Sequence, residues 1–130
     1  MFIEVENIRK SYGRKTIVLN GSSFHAASGE YIAIVGAFGC GKSTLLEILA
    51  GSLKADGGSL KIDGIDAIAD AKMFQKYIGF VPQENPLTEK LSARDNLKFW
   101  YCDTGRNMDA DLQGGVPAVL GVSEYLDKRV

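Results

Sequence analysis

Apolar and polar residues alternate in the first part of the chain. Residues Phe2 to Asn7 follow a period of two, and Thr16 to Phe24 follow it more loosely. Such alternation is typical of strands that are buried on one face only. Gly13 and the Asn20-Gly21 pair punctuate the two stretches. The pattern predicts a pair of antiparallel strands at the start of the chain.

A different pattern begins at Tyr31. Residues Tyr31 to Val35 form a continuous apolar run, which favours a strand buried on both faces of an α/β core. A glycine-rich stretch follows, and Gly51 ends the next apolar series as the expected helix C-terminal cap. That series recurs at helical spacing and consists of Leu45, Leu46, Ile48 and Leu49. The order strand, glycine loop, helix is therefore expected.

Two further strands and a helix are predicted in the middle of the chain. Ser59 to Asp63, with glycines around it, is typical of a short strand. Ile78 to Val81 is predicted to be a second buried strand, which Pro82 stops. A short helix is expected between them, around Ala69 to Tyr77.

The character of the sequence changes at Ser92. Ser92 with Asp95 three residues later forms a capping box, which opens a predicted helix through Trp100. This helix carries much apolar and aromatic surface, from Leu97, Phe99, Trp100 and Tyr101. Such residues are enriched at interfaces, although they would equally pack within their own subdomain. The remainder predicts short helices and turns.

Composition and charge narrow the function classes. The chain has 130 residues, with 16 acidic and 15 basic side chains, so a basic domain that binds nucleic acid is disfavoured. No apolar run approaches the roughly 18 to 20 residues that span a bilayer. Cys40 and Cys102 are far apart, without metal-ligand spacing, which fits a reducing cytosol. The start lacks a signal-peptide core, so the chain is expected to begin as translated.

The strongest chemical signal is GAFGCGKST, from Gly36 to Thr44, which fits the phosphate-binding pattern GxxxxGK[ST]. Gly36, Gly39 and Gly41 would let successive backbone N–H groups face an anion, and the following helix adds its positive end. The alternative is a glycine-rich turn without a ligand. The predicted strand before the loop and helix after it favour phosphate binding.

Three polar side chains follow the last glycine of this loop. Lys42 would reach the β- and γ-phosphates of a nucleotide, and Ser43 would offer its hydroxyl to Mg²⁺. Thr44 would bond on the α-phosphate side. The motif therefore predicts binding of a nucleoside triphosphate with Mg²⁺.

The flanking motifs narrow the class of NTPase. The sequence resembles the ATP-binding subunits of ABC transporters at separated motifs in the right order: KSYG, then LNGSSFHAASGEYIAIVGAFGCGKSTLLEILAG, then GSLKIDG, then IGFVPQENPLTEKLSARDNLKFWY. The resemblance implies an α/β P-loop NTPase fold of ABC type. It further implies that residues 1–91 form the N-terminal part of the ATP-binding core and residues 92–130 the start of the helical subdomain.

The resemblance assigns roles to three more residues. Tyr12 falls where the family places an aromatic ring that stacks on adenine, although it would also suit an ordinary loop. Val18 falls where the family packs an aliphatic side chain beside the nucleotide, and a half-buried strand valine would look the same. Gln83 matches the family's Q-loop glutamine, whose amide oxygen reaches Mg²⁺ or the attacking water.

Two loop positions depart from the family or vary within it. Phe38 stands where the family usually has a small polar residue, so a side-chain contact to nucleotide or to the opposing subunit is absent, and weaker ATP binding than in Phe38→Asn is expected. Cys40 lies near the predicted helix N-terminus, where its thiol is either activated or an unreactive small residue. His25 lacks a partner at catalytic or ligand spacing and is interpreted as structural.

Other family motifs are missing. No apolar run ends in Asp-Glu, so a Walker B strand is absent, and no later histidine serves a switch loop. Leu112 to Gly115 resembles the LSGGQ signature but lacks its serine and comes too soon after Gln83. Gly121 to Val130 resembles the stretch before the true signature. We therefore expect an incomplete, N-terminal portion that binds ATP without hydrolysing it and self-associates through unpaired strand edges.

The resemblance also implies partners and a location. The full-length protein would hydrolyse ATP to drive transport, at the inner face of the cell membrane, in the cytoplasm. It would contact a membrane-embedded permease subunit and a second ATP-binding subunit, with no nucleic acid. The alternative is a soluble ABC ATPase that moves no substrate. Because specificity resides mainly in the permease, neither the substrate nor the direction of transport follows from this sequence.

Overall fold

The computed structural model describes residues 2–70, 77–102 and 105–129. The chain divides into two compact units, Met1–Phe80 and Val81–Val130. Each unit has its own secondary structure and its own buried residues. The division predicted after residue 91 stays a prediction.

The first unit contains a four-stranded antiparallel sheet. Its strands are β1 (Ile3–Tyr12), β2 (Thr16–Ala26), β3 (Gly57–Ile62) and β4 (Ile65–Asp66), in the order β2-β1-β3-β4. The predicted N-terminal antiparallel pair and the predicted strand at Ser59 to Asp63 are confirmed. Both β1 and β2 continue beyond the predicted bounds.

The pairing of β1 with β2 is irregular near the middle of the sheet. Ile8 pairs with Ser22 and Arg9 with Asn20, so Gly21 is left over as a bulge with φ 94°. Asn7 also has a positive φ, 54°, and its amide N–H donates to the Ser23 hydroxyl at 2.8 Å. The Asn20-Gly21 pair therefore interrupts β2 as a bulge inside the strand.

One helix covers the sheet of the first unit. Helix α1 (Lys42–Leu49) places Leu45 and Ile48 in the hydrophobic core. Gly51 follows with φ 76°, and its N–H donates to the Ile48 carbonyl at 3.1 Å, so the predicted end of the helix is confirmed. The core also contains strand residues and one turn residue: Val5, Ile8, Leu19, Leu60, Ile62 and Ala67.

Two predicted strands are wrong. Residues 31–35 and 78–81 have no regular secondary structure, and Val35 is 85% exposed while Tyr31 is fully exposed. A strand exists only where a neighbour accepts and donates ladder hydrogen bonds, and no strand in the described ranges pairs with either run. Ile34 and Ile78 nevertheless pack against the core, so each run contributes one partly buried side chain.

The second unit is helical. It contains α2 (Ala93–Tyr101), α3 (Met108–Gly114), α4 (Val116–Val119) and a 3₁₀ helix at Val122–Tyr125. The N-cap half of the predicted capping box is confirmed, since the Ser92 hydroxyl accepts from the Asp95 N–H at 3.2 Å. The Asp95 carboxylate accepts from the Ser92 hydroxyl at 2.8 Å, and not from the Ser92 N–H as a full capping box requires. The predicted short helices after Trp100 are also confirmed.

The end of this unit returns to the start of α2. The N–H of Ala93 donates to the Lys128 carbonyl at 3.0 Å, and that of Arg94 to the Leu126 carbonyl at 2.7 Å. Leu112 and Leu126 are its buried apolar residues.

The helix predicted around Ala69 to Tyr77, in the first unit, lies largely outside the described residues.

No helix within the described ranges is both long enough and apolar enough to span a bilayer.

Candidate phosphate-binding site

The loop between residues 36 and 41 depends on glycine at two positions. Gly39 and Gly41 have φ values of 77° and 101°, in the left-handed region that other residues rarely adopt. A Cβ on Gly39 would meet no atom within 4 Å, so this side of the loop is open to a ligand. The Cys40 N–H donates to the Ala37 carbonyl at 3.2 Å and closes the turn.

Gly41 joins the loop to the sheet. A Cβ built on it would lie 2.9 Å from Val18 Cγ1, 3.0 Å from the Val18 carbonyl oxygen and 3.1 Å from Leu19 Cδ2. Its carbonyl accepts the first bond of α1, from the Leu45 N–H at 3.0 Å. Val18 is half-buried and packs against the core, as a strand valine would, but it also fixes the position of the loop.

The side chain of Lys42 lies across the loop. Its ammonium donates to the carbonyl oxygens of Gly36 at 2.8 Å and Ala37 at 2.7 Å, and it lies 3.7 Å from Cys40 Sγ. These carbonyls and the ammonium hold the loop in a closed ring. The positive charge therefore lies inside the loop.

The start of α1 favours an anion. Gly41 provides no side-chain cap, and the first turn carries no acidic residue. The first-turn N–H groups of a helix have no intrahelical partner and carry its positive end, so they are suited to phosphate oxygens. Ser43 is exposed and Thr44 half-buried in this turn. Glycine backbone, cation and free helix terminus together fit a phosphate group.

Tyr12 ends β1 with about half of its surface exposed. Asp56 holds the two residues that precede Tyr12 in β1. Its carboxylate accepts from the Ser11 N–H at 2.7 Å and from Lys10 Nζ at 3.4 Å. The Ser11 hydrogen bond, and then Lys10, hold the pKa of Asp56 below its usual value. Lys10 Nζ also lies 5.6 Å from the centre of the Tyr12 ring. The exposed ring is available for stacking.

The two unusual loop residues are both exposed. Phe38 is fully exposed at the tip of the loop. Cys40 is a free, exposed thiol, and a Cβ on Gly36 would lie 2.5 Å from its sulfur. The Cys40 side chain therefore packs against Gly36 in addition to its proximity to Lys42.

Gln83 belongs to the second unit, while all the other predicted site residues belong to the first. It is exposed and lies in a bend after Pro82. Within the described ranges, no group of three or more His, Cys, Asp and Glu side chains has metal-site geometry.

The aromatic residues of α2 divide into two groups. Phe99 and Trp100 are 74% and 54% exposed and contact each other edge to face, with ring centroids 6.4 Å apart. Tyr101 is half-buried, and its hydroxyl donates to the Asp111 carboxylate at 2.9 Å. Tyr101 therefore packs within its own unit, as one of the two interpretations expected, whereas Phe99 and Trp100 are largely exposed.

Sequence reasoning missed Asn96. This side chain is only 4% exposed and forms hydrogen bonds to Thr88 and Ser92. Its position inside a predicted helix could have indicated this role. Asparagine is a poor helix former, because its side chain tends to form hydrogen bonds with nearby backbone groups.

The antiparallel sheet, the glycine loop with its GxxxxGK[ST] motif and the helix after it are those of an incomplete P-loop NTPase domain. The sequence profile of the family described as "ABC transporter" matches residues 19–129, and the chain belongs to that family.

Several characterised proteins are similar in sequence. The sulfate/thiosulfate import ATP-binding protein CysA 1 of Chromobacterium violaceum is 42% identical over 99 residues, which are 76% of this chain and 27% of that protein. The linearmycin resistance ATP-binding protein LnrL of Bacillus subtilis is 39% identical over 75% of this chain and 31% of its own length. The bacitracin export ATP-binding protein BceA of Halalkalibacterium halodurans is 37% identical over 97% of this chain and 54% of its own length.

A solved structure of an ATP-binding subunit of an ABC transporter has the same fold, with a TM-score of 0.81 and 22% identity over 99% of this chain. The match covers 54% of that structure. The chain thus spans between about a quarter and about half of the length of these relatives. The ABC-type α/β fold is confirmed.

Proposed function

We propose that this chain binds the phosphates of ATP with Mg²⁺ as part of the ATP-binding subunit of an ABC transporter. The observation that carries the proposal is the position of Lys42, whose ammonium lies inside the glycine loop at the uncapped start of α1. An anion entering the loop meets a fixed cation and free helix N–H groups.

The remaining residues have distinct roles in this proposal. Ser43 and Gln83 hold Mg²⁺ through a hydroxyl and an amide oxygen, and Gln83 also orients the attacking water. When bound, Mg²⁺ neutralises charge on the phosphates. Tyr12 stacks on adenine, because its ring is exposed at the end of β1. Val18 supports the nucleotide side of the loop through its contact with Gly41.

Transport is favoured over a soluble role for the protein as a whole. The relatives include ATP-binding proteins named for import and for export, so their names support an ATP-binding role in transport without fixing its direction. The proposed partners are a membrane-embedded permease and a second ATP-binding subunit. The proposed location is the cytoplasm, at the inner face of the membrane.

Calorimetry with MgATP tests the phosphate site. Lys42→Ala is expected to weaken binding on the order of 10- to 100-fold, which is the usual effect of losing hydrogen bonds to a charged group. Lys54→Ala removes an exposed lysine from the same unit and should leave the affinity unchanged. Equal binding by the Lys42→Ala and unsubstituted proteins, or no binding by the latter, would contradict the proposal. Circular dichroism checks that both variants fold.

Purification from detergent-solubilised membranes tests the transport role. A protein expressed from its native gene is expected to co-purify with a multispanning permease. Recovery in the soluble fraction alone, with ATP binding intact, would instead favour the non-transport ABC ATPase.

A further inference from the structure

Asn96 is a buried polar side chain on α2 that the roles described so far do not use. It is 4% exposed and is the one buried polar residue in the part of the chain that the structure describes. Its Oδ1 accepts from the Thr88 N–H at 2.8 Å, and its Nδ2 donates to the carbonyls of Thr88 at 3.1 Å and Ser92 at 3.0 Å. All the hydrogen bonds of the side-chain amide are therefore directed to the segment before the helix.

The contact with Thr88 is bidentate. The side-chain amide pairs with both the N–H and the carbonyl of one residue, as a neighbouring strand would. The same Thr88 carbonyl accepts from the Leu91 N–H at 3.0 Å, which closes a turn directly before the helix cap at Ser92. Asn96 thus attaches this turn to the first part of α2.

A short segment connects the attached turn to Gln83. Within it, Asn85 Oδ1 accepts from the Leu87 N–H at 3.0 Å, and Pro86 has a fixed φ. Only residues 84–87 lie between Gln83 and Thr88. Because Thr88 is fixed by Asn96, the backbone of Gln83 can adopt fewer positions than it could on a longer free segment. We propose that Asn96 is a positioning residue that holds the Gln83 segment in place, an inference that rests on the proposed role of Gln83 in Mg²⁺ binding.

Backbone ¹⁵N relaxation provides the first test. In Asn96→Leu, which removes every side-chain hydrogen bond, the order parameters of the Thr88 and Gln83 amides are both expected to fall. Asn96→Ala removes the same hydrogen bonds without adding a larger apolar side chain, so it should give the same fall and serves if the leucine variant does not fold. Asn107→Ala is the matched control, because Asn107 caps α3 through the Ala110 N–H at 3.0 Å.

Nucleotide affinity with and without Mg²⁺ provides the second test. Asn96→Leu should reduce the Mg²⁺-dependent gain in ATP affinity on the order of threefold or more, and Gln83→Ala is expected to do the same. Affinity in EDTA should stay unchanged, because the Lys42 loop is intact. The double variant should lose no more than Gln83→Ala alone.

The possible results distinguish a failure of the role proposed for Asn96 from a failure of the proposed function. A Gln83 amide that stays ordered while Thr88 loosens would overturn the role of Asn96, as would an unchanged Mg²⁺ gain in Asn96→Leu. A wild-type protein without any Mg²⁺-dependent gain would contradict the proposed role of Gln83. Relaxation would then still decide whether Asn96 holds the segment.

Discussion

A Cβ built on Gly41 would lie only 2.9 Å from Val18 Cγ1 and 3.0 Å from the Val18 carbonyl oxygen. The close approach places the start of α1 directly on β2, and the φ of 101° at Gly41 strains any other residue. We predict that Gly41→Ala lowers the free energy of unfolding by about 2 to 3 kcal/mol, from the left-handed backbone and the overpacking together. Urea unfolding followed by far-ultraviolet circular dichroism measures this.

Gly39→Ala is the matched control. Gly39 also has a positive φ, 77°, but a Cβ there would contact nothing within 4 Å. The cost should therefore be about 1 kcal/mol, from the backbone alone. Equal losses for the two variants would mean that the contact with Val18 does not matter.

The acid stability of the first unit should depend on Asp56. The Ser11 N–H and the Lys10 ammonium lower the pKa of Asp56 in the folded state, so its charged form stabilises the fold. This stabilisation is present above the unfolded-state pKa and is lost as the pH falls through the lower folded-state pKa. Asp56→Asn should be less stable than wild type at pH 7, and the difference should shrink as the pH falls below about 4, the unfolded-state pKa of an aspartate.

Thermal unfolding between pH 2 and 7 measures the Asp56 effect. Glu89→Gln is a suitable control, since Glu89 is exposed and forms no ion pair within the described residues. A stability difference between Asp56→Asn and wild type that is constant over the whole range would contradict the linkage.

Phe38→Asn should bind ATP more tightly than the natural sequence. Phe38 is fully exposed at the tip of the loop, where an amide would supply a hydrogen bond that a phenyl ring lacks. The expected gain is about 2- to 10-fold, measured by calorimetry. Phe38→Ala separates the added amide from the removed ring. Equal affinities for the unsubstituted protein and the Phe38→Asn variant would refute the prediction.

Bound nucleotide should protect Cys40 from alkylation. The thiol is exposed and lies 3.7 Å from Lys42 Nζ, so a ligand on the loop would cover it. Alkylated Cys40 should in turn weaken ATP binding. Cys102 follows α2 in the other unit and is also exposed, which makes it an internal control in the same mass spectrum. Identical labelling of Cys40 with and without MgATP would argue against its placement at the nucleotide.

Elements with their own local signals were predicted well. Alternation indicated β1 and β2, the spacing of leucines with Gly51 indicated α1, and the Ser92–Asp95 pair indicated the start of α2. Each of these signals acts within a few residues, through a cap, a turn or one buried face. The positive φ values of Gly39 and Gly41 also follow from the glycines of the motif, whereas phosphate binding by the loop stays a prediction.

Features that depend on a partner outside the element itself, or on where a side chain points, were not predicted. The apolar run at Tyr31 to Val35 indicates burial but does not specify a neighbouring strand, and the described ranges provide none. Asn96 is buried because a turn eight residues earlier presents both backbone groups of Thr88 to it. Nor does a sequence motif reveal that the Lys42 ammonium bonds to the loop's own carbonyls.

Trp100 is the single tryptophan of the chain, and it lies on α2 beside Phe99. Its emission therefore reports on the Val81–Val130 unit, while far-ultraviolet circular dichroism records strands and helices of both units. Superimposable transitions from the two signals would show that the units unfold as one cooperative block. Separate midpoints would assign a stability to each unit from a single titration, without any labelling.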